Sequence, residues 1–164
     1  FLTLGIFGLI CTSAFPAVAV GILLHNGGMG LFVTLLITVF AGDVSAYFGG
    51  ILRGKTALAP TISPNKTIAG SVSGLVGSVT LGLLTVLYLY PLGFKALVVF
   101  KIGLFLVGMG LTAQMGDLLI SLLKRRADIK DTGYLLPGHG GVLDRIDGLL
   151  LACPWIYGIH WLTT

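Results

Sequence analysis

Five uninterrupted apolar runs constrain this chain more than anything else in it. They cover residues 2–24, about 28–52, 68–90, about 94–114 and 142–162. Each is long enough to cross a bilayer, which takes about 20 apolar residues. The runs are continuous and do not alternate with period two, so they predict helices and not the strands of a barrel. Only 10% of the 164 residues are charged, against about 25% in a soluble domain. The expected fold is all-α: a polytopic membrane bundle of about five transmembrane helices with a cytoplasmic catalytic loop region. The expected unit is one membrane domain over residues 1–164. The chain begins at Phe1, and its first twenty residues lack the basic start of a signal peptide, so further spans are expected upstream. Pro16 predicts a kink in the first run. Cys11 and Cys153 lie in apolar surroundings and predict packing, not a disulfide.

The connections differ in chemistry. Residues 25–30 and 90–93 are short and nearly uncharged, whereas 53–67 and 118–141 are longer and polar. If the spans alternate, Arg53, Lys55, Lys66, Lys124, Arg125, Arg126, Lys130 and Arg145 share one side, and Lys95 stands on the other. The positive-inside rule makes the basic side cytoplasmic. Trp155, Tyr157, His160 and Trp161 then predict an aromatic belt at the outer interface, with His25 nearby. Gly70, Gly74 and Gly77 with Ser71, Ser73 and Ser78 put small residues along the third run, and Gly103, Gly108 and Gly110 do so in the fourth. Small residues let membrane helices approach closely.

Charge is concentrated where it costs most. Residues 121–147 hold four of the six acidic residues, all of them Asp, and five of the ten basic ones. Asp117 precedes this stretch by one turn, on a helix expected to continue to about Ala127 and to end in Lys124-Arg125-Arg126. Lys130-Asp131 and Pro137-Gly138-His139-Gly140-Gly141 follow as a loop whose glycines permit close approach to a ligand. Asp144 and Asp147 share a helix face, and Arg145 points about 100° away from Asp144. Carboxylates beside cations suit Mg²⁺-assisted phosphoryl or nucleotidyl transfer, because the metal takes one or two protein carboxylates and phosphate oxygens complete its shell. The competing reading is a solvated, salt-bridged loop. For His139 the roles open are general base, phosphate donor and loop-fixing residue; a phosphate monoester nucleophile is already anionic at neutral pH, which favours phosphate binding.

A second constellation lies upstream. Asp43 sits about two turns inside its run, where a carboxylate costs roughly 2.5–3.5 kcal/mol. Tyr47 stands one turn on, on the same face. In Ser63-Pro64-Asn65-Lys66-Thr67, Ser63 suits a helix cap and Pro64 a first helical turn. That reading opens the third helix at Ser63 and makes Lys66 and Thr67 part of an anion site. The plainer reading is a capped helix with a snorkelling lysine. No phosphate-binding G-x-x-x-x-G-K-[ST] loop and no Cys/His metal-ligand spacing is present.

The stretch 121–147 resembles the signature of the phosphatidate cytidylyltransferases: Ser-x-apolar-Lys-Arg, four residues, Lys-Asp-x-Gly, apolar-Pro-x-His-Gly-Gly, then Asp-Arg-apolar-Asp. Every fixed position is present. The segments around Asp43 and Ser63 are similar to the family's in the same order. The resemblance implies condensation of CTP with phosphatidate to CDP-diacylglycerol and pyrophosphate. It implies Mg²⁺, with Mn²⁺ as substitute and room for a second cation. It implies catalytic roles for Asp117, Asp131, Asp144, Lys130 and His139, and metal binding by Asp117, Asp144 and Asp147. Substrate binding would fall to Asp43, Tyr47, Ser63, Lys66, Thr67, Lys124, Arg125, Gly140, Gly141 and Arg145. The expected partners are CTP and membrane phosphatidate, with a homodimer compatible and no nucleic acid. The expected place is a bacterial inner membrane, the site facing the cytoplasm. Alternatives are a CTP-dependent polyprenol kinase, an archaeal lipid cytidylyltransferase, or a small transporter with a cytoplasmic anion gate, the last kept open by Lys101 in the fourth run.

Overall fold

The computed structural model describes residues 13, 15–90, 95–129, 132 and 143–163, and only the backbone of residues 15, 16, 144 and 145. Among these residues the order is α1 (Phe15–Leu23), α2 (Gly28–Arg53), β1 (Ala57–Ala59), β2 (Ser63–Thr67), α3 (Ile68–Leu89), α4 (Ala96–Arg126), α5 (Leu143–Ala152) and α6 (Trp155–Thr163). Three of them, α2, α3 and α4, are long and apolar enough to cross a membrane. Phe48, Ile51, Val72, Val76, Leu84, Phe100 and Leu104 point outward from them. An apolar exterior over helices that satisfy their own backbone groups suits lipid. The all-α membrane class therefore holds, with one small hairpin added to it.

The last apolar run differs from the expectation, and half of the first lies outside the described residues. The first is described from α1 onward, and the kink expected at Pro16 falls at the edge of the described residues. The last is two helices, α5 and α6, that meet at Cys153-Pro154. Proline has no N–H to give and its ring clashes with the preceding turn. Cys153 N–H still closes α5 on Leu149 O at 3.0 Å, and Ile156 N–H turns back to Cys153 O at 3.2 Å.

Helices α2 and α3 are the most tightly packed pair. A methyl on Gly42 would overlap the Ser78 hydroxyl, one on Gly49 the Ser73 hydroxyl, and one on Gly77 the Ser45 hydroxyl. The two helices therefore touch nearly backbone to backbone, as the small residues predict. Ser73 Oγ donates across the seam to Ser45 O at 3.0 Å. In α4, Gly110 packs on Leu75 and Ser78 and Gly108 on the Trp155 ring, whereas Gly103 meets nothing within 4 Å among the described residues. Trp155 also meets Phe105 edge to face at 6.0 Å. It belongs to the core and not to an interfacial belt, because α5 and α6 run back along α4 and bring it to Gly108. Trp161 is 77% exposed, and His25 and His160 stand 5.1 Å apart.

The apolar core lies toward the end away from the charged connections. Ile22, Leu31, Leu35, Val86, Ile102, Leu106, Met109, Ile156 and Ile159 are buried there. At that end Gly27 adopts a left-handed φ of 77° just before α2, and Tyr90 Oη donates to its carbonyl at 2.6 Å. At the other end α4 finishes in a Schellman turn. Ile129 N–H reaches Lys124 O at 3.0 Å and Asp128 N–H reaches Arg125 O at 3.3 Å, with Asp128 at φ 54°. The helix thus ends where Lys124-Arg125-Arg126 predicts.

Candidate active site

The hairpin sets the position of the upstream constellation. Strand β1 pairs antiparallel with β2, Ala57 opposite Thr67 and Ala59 opposite Ser63, with a bulge between. Ser63-Pro64-Asn65-Lys66-Thr67 is therefore a strand, and the expected helix start at Ser63 is wrong. Helix α3 starts at Ile68, and Thr67 is its cap, its hydroxyl accepting from Gly70 N–H at 3.1 Å. Two neighbouring segments both offered cap residues, and pairing with β1 uses up the first. Pro64 fits because both strands are edges and its missing donor costs no ladder bond. Ser63 is thus removed from the helix terminus, whereas Lys66 stands next to the cap.

Arg125 Nε donates to Ile62 O at 3.4 Å and ties the hairpin to the end of α4. Lys66 Nζ forms an ion pair with Asp117 Oδ2. Ser121 Oγ donates to Asp117 Oδ1 at 3.5 Å, as expected for residues one turn apart. Asp43 interacts electrostatically with both Asp117 and Lys66. Asp147 does so with Asp117, Lys66 and Asp43. Its Oδ1 accepts from Gly148 N–H at 2.7 Å. The reason Asp147 arrives here is Gly116, which lies so close to the Asp147 carbonyl that a Cβ would stand 2.6 Å from it. The start of α5 therefore packs beside the charged half of α4, which is the return that brings Asp147 to Asp117.

A cavity of about 660 Å³ opens on this cluster. Its polar wall carries Asp43, Asp117, Lys66, Ser63, Asn65 and Thr67, and its apolar wall Tyr47, Ile51, Leu58 and Leu118. Six residues named from sequence, Asp43, Tyr47, Ser63, Lys66, Thr67 and Asp117, thus share one space. Ser71 and Gln114 line it too and were not foreseen; a lone amide within an apolar run, one turn from Asp117, was the available signal. Lys124 is half-buried at the end of α4. The side chains of Asp144 and Arg145 lie outside the described residues, as do Lys130, Asp131, His139, Gly140 and Gly141 entirely. Lys101 stands in the second turn of α4, exposed, and is not among the cavity's residues.

Asp117 is paired with Lys66, and Asp43 and Asp147 lie close enough to feel that pair, so the neighbourhood carries excess negative charge. Such a group is relieved by a proton or by a cation. All the donors are hard oxygens, which fits Mg²⁺ or Mn²⁺ held by one or two carboxylates. They do not form a complete cage: no group of three metal-binding side chains is assembled among the described residues.

A model of the cytidylyltransferase family matches residues 1–163. The chain belongs to that family. It is 44% identical over 133 residues to the phosphatidate cytidylyltransferase of Helicobacter pylori, covering 81% of this chain and 47% of that protein. The enzyme of the same name from Bacillus subtilis is 43% identical over 135 residues, 82% of this chain and 48% of that one. The Brucella melitensis enzyme is 42% identical over 130 residues, with 79% and 46% covered. The chain thus spans about half the length of the curated relatives it matches.

Proposed function

We propose that this chain carries the catalytic part of a phosphatidate cytidylyltransferase, joining CTP to phosphatidate and releasing pyrophosphate. The observation that carries the reading is the cavity, in which the Lys66–Asp117 pair and Asp43 face an apolar wall of Tyr47, Ile51, Leu58 and Leu118. A phosphorylated lipid needs both surfaces at once: polar groups for its phosphate and an apolar flank for its chains. The lipid phosphate oxygen attacks the α-phosphorus of CTP, the bond to the β-phosphate oxygen breaks, and pyrophosphate leaves. A phosphate monoester has its second pKa near 6, so the nucleophile is already charged and no strong base is needed. Lys66 binds phosphate oxygens and offsets the charge that gathers as pyrophosphate departs. Ser63 and Thr67 orient the same oxygens by hydrogen bonds. Asp117, with Asp144 and Asp147, would hold a divalent cation, normally Mg²⁺, which supplies charge neutralisation at the phosphates. Lys124, Arg125, Lys130 and Arg145 would serve the triphosphate or the phosphatidate headgroup, and His139 would bind phosphate.

Five spans, a cytoplasmic site in a bacterial inner membrane and a homodimer belong to the same reading. The full-length gene product, reconstituted with phosphatidate, CTP and Mg²⁺, is expected to release pyrophosphate and form CDP-diacylglycerol in equal amounts. Pyrophosphate without the lipid product, or neither, overturns the proposal.

A further inference from the structure

We infer that Gln114 is a positioning residue that sets where Asp117 meets Lys66. This rests on the functional reading above for its consequence, but not for its geometry. Gln114 lies three residues before Asp117, on the same face of α4. Ser71 lies four residues past the Thr67 cap on α3. Gln114 spends both ends of its amide on this one residue. Its Nε2 donates to Ser71 O at 3.0 Å, and its Oε1 accepts from Ser71 Oγ. The backbone carbonyl only accepts, so it fixes which end of the amide faces it.

Ser71 is unusual among the helical hydroxyls. Thr34, Ser73, Thr80, Thr85 and Thr112 all return a hydrogen bond to a carbonyl three or four residues back in their own helix. Ser71 turns away from its helix and reaches across to α4 instead. The cost of that choice is repaid by a keyed contact between two helices that otherwise meet through close packing, Gly110 on Leu75 and Ser78 and Gly82 on Leu106. Apolar contacts tolerate sliding, whereas a two-bond amide grip between membrane helices specifies a height and a rotation. The height it specifies is the one at which Asp117 faces Lys66, one turn further along. Both residues line the cavity with the ion pair, so the grip lies against the ligand space.

The test uses the full-length gene product in liposomes, as Gln114→Met, Ser71→Ala and both together. Methionine keeps the length and apolar volume of the side chain and removes both hydrogen bonds. Gln114→Met is expected to lower kcat about tenfold and to shift the divalent-cation activation midpoint several-fold upward, with the KM for phosphatidate unchanged. Ser71→Ala should give a smaller shift in the same direction, and the double variant should be no worse than Gln114→Met, because the pair acts as a unit. A residue that only supports folding would lower kcat at every cation concentration without moving the midpoint, and that result overturns the proposal. A second readout needs no activity. With Lys66→Cys and Asp117→Cys in a background lacking the native cysteines, a short bis-maleimide should cross-link at least threefold more slowly once Gln114→Met is added. Equal cross-linking rates overturn the positioning role. Slowed cross-linking, together with no CDP-diacylglycerol from the protein that retains Lys66 and Asp117, overturns the functional reading and leaves the positioning role standing.

Discussion

Asp117 is the residue on which the site turns. It takes a bond from Lys66 and one from Ser121, and two further carboxylates feel its charge. Asp117→Asn keeps the side chain's shape, removes the charge and leaves a single oxygen to accept from Lys66 or from Ser121. Nucleotidyl transfer should fall at least about a hundredfold, the scale set by losing one electrostatic contact to a transition state, with insertion and melting temperature little changed. Asp144→Asn should behave alike, measured as initial rate over a Mg²⁺ titration. Near-normal turnover of either variant at limiting Mg²⁺ moves the metal to Asp43, Asp131 or Asp147. Lys66→Ala should raise the KM for CTP about tenfold, since a charged hydrogen bond is worth roughly 1.5–3 kcal/mol; the KM for phosphatidate should change less. An unaltered KM for CTP counts against Lys66 as a phosphate ligand. Asp43, Lys66 and Asp117 stand out in the sequence as charges within or beside apolar runs, and the cavity brings them together. For Gln114 a lone amide in an apolar run is the only signal, and Ser71 looks like a packing residue, because the partner is 43 positions away.

The hairpin and the last helix mark the limits of local signals at the level of elements. Helix starts at Ser63 and at Thr67 are both licensed by capping chemistry, and only the pairing with Ala57–Ala59 decides between them. A three-residue strand carries too little periodicity to announce itself. The long helices, by contrast, were placed within a few residues, because continuous apolar sequence leaves the backbone no partner in lipid but itself. The break at Pro154 was written in the sequence and masked by the hydrophobicity on either side of it. Capping now makes a specific claim. Thr67→Ala should destabilise the α3 start by about 1 kcal/mol, whereas Ser63→Ala should leave it unchanged; hydrogen exchange at residues 68–71 separates the two. Faster exchange in Ser63→Ala and not in Thr67→Ala would restore the earlier start.

For the whole molecule, the charged ends of α2 and α4, the hairpin and the start of α5 gather at one end of the bundle, and the apolar core at the other. Cysteine probes at Asn65 and Thr132 should therefore label from the same side of the membrane, and labelling from opposite sides removes the five-span topology. The α2–α3 seam has a mechanical consequence. Two helices whose glycines admit each other's hydroxyls cannot roll or slide without collision, so they move as one stiff plate. Room for any bulky ligand to pass must then be found on the opposite wall, where α4 is joined to that plate by a few polar pins.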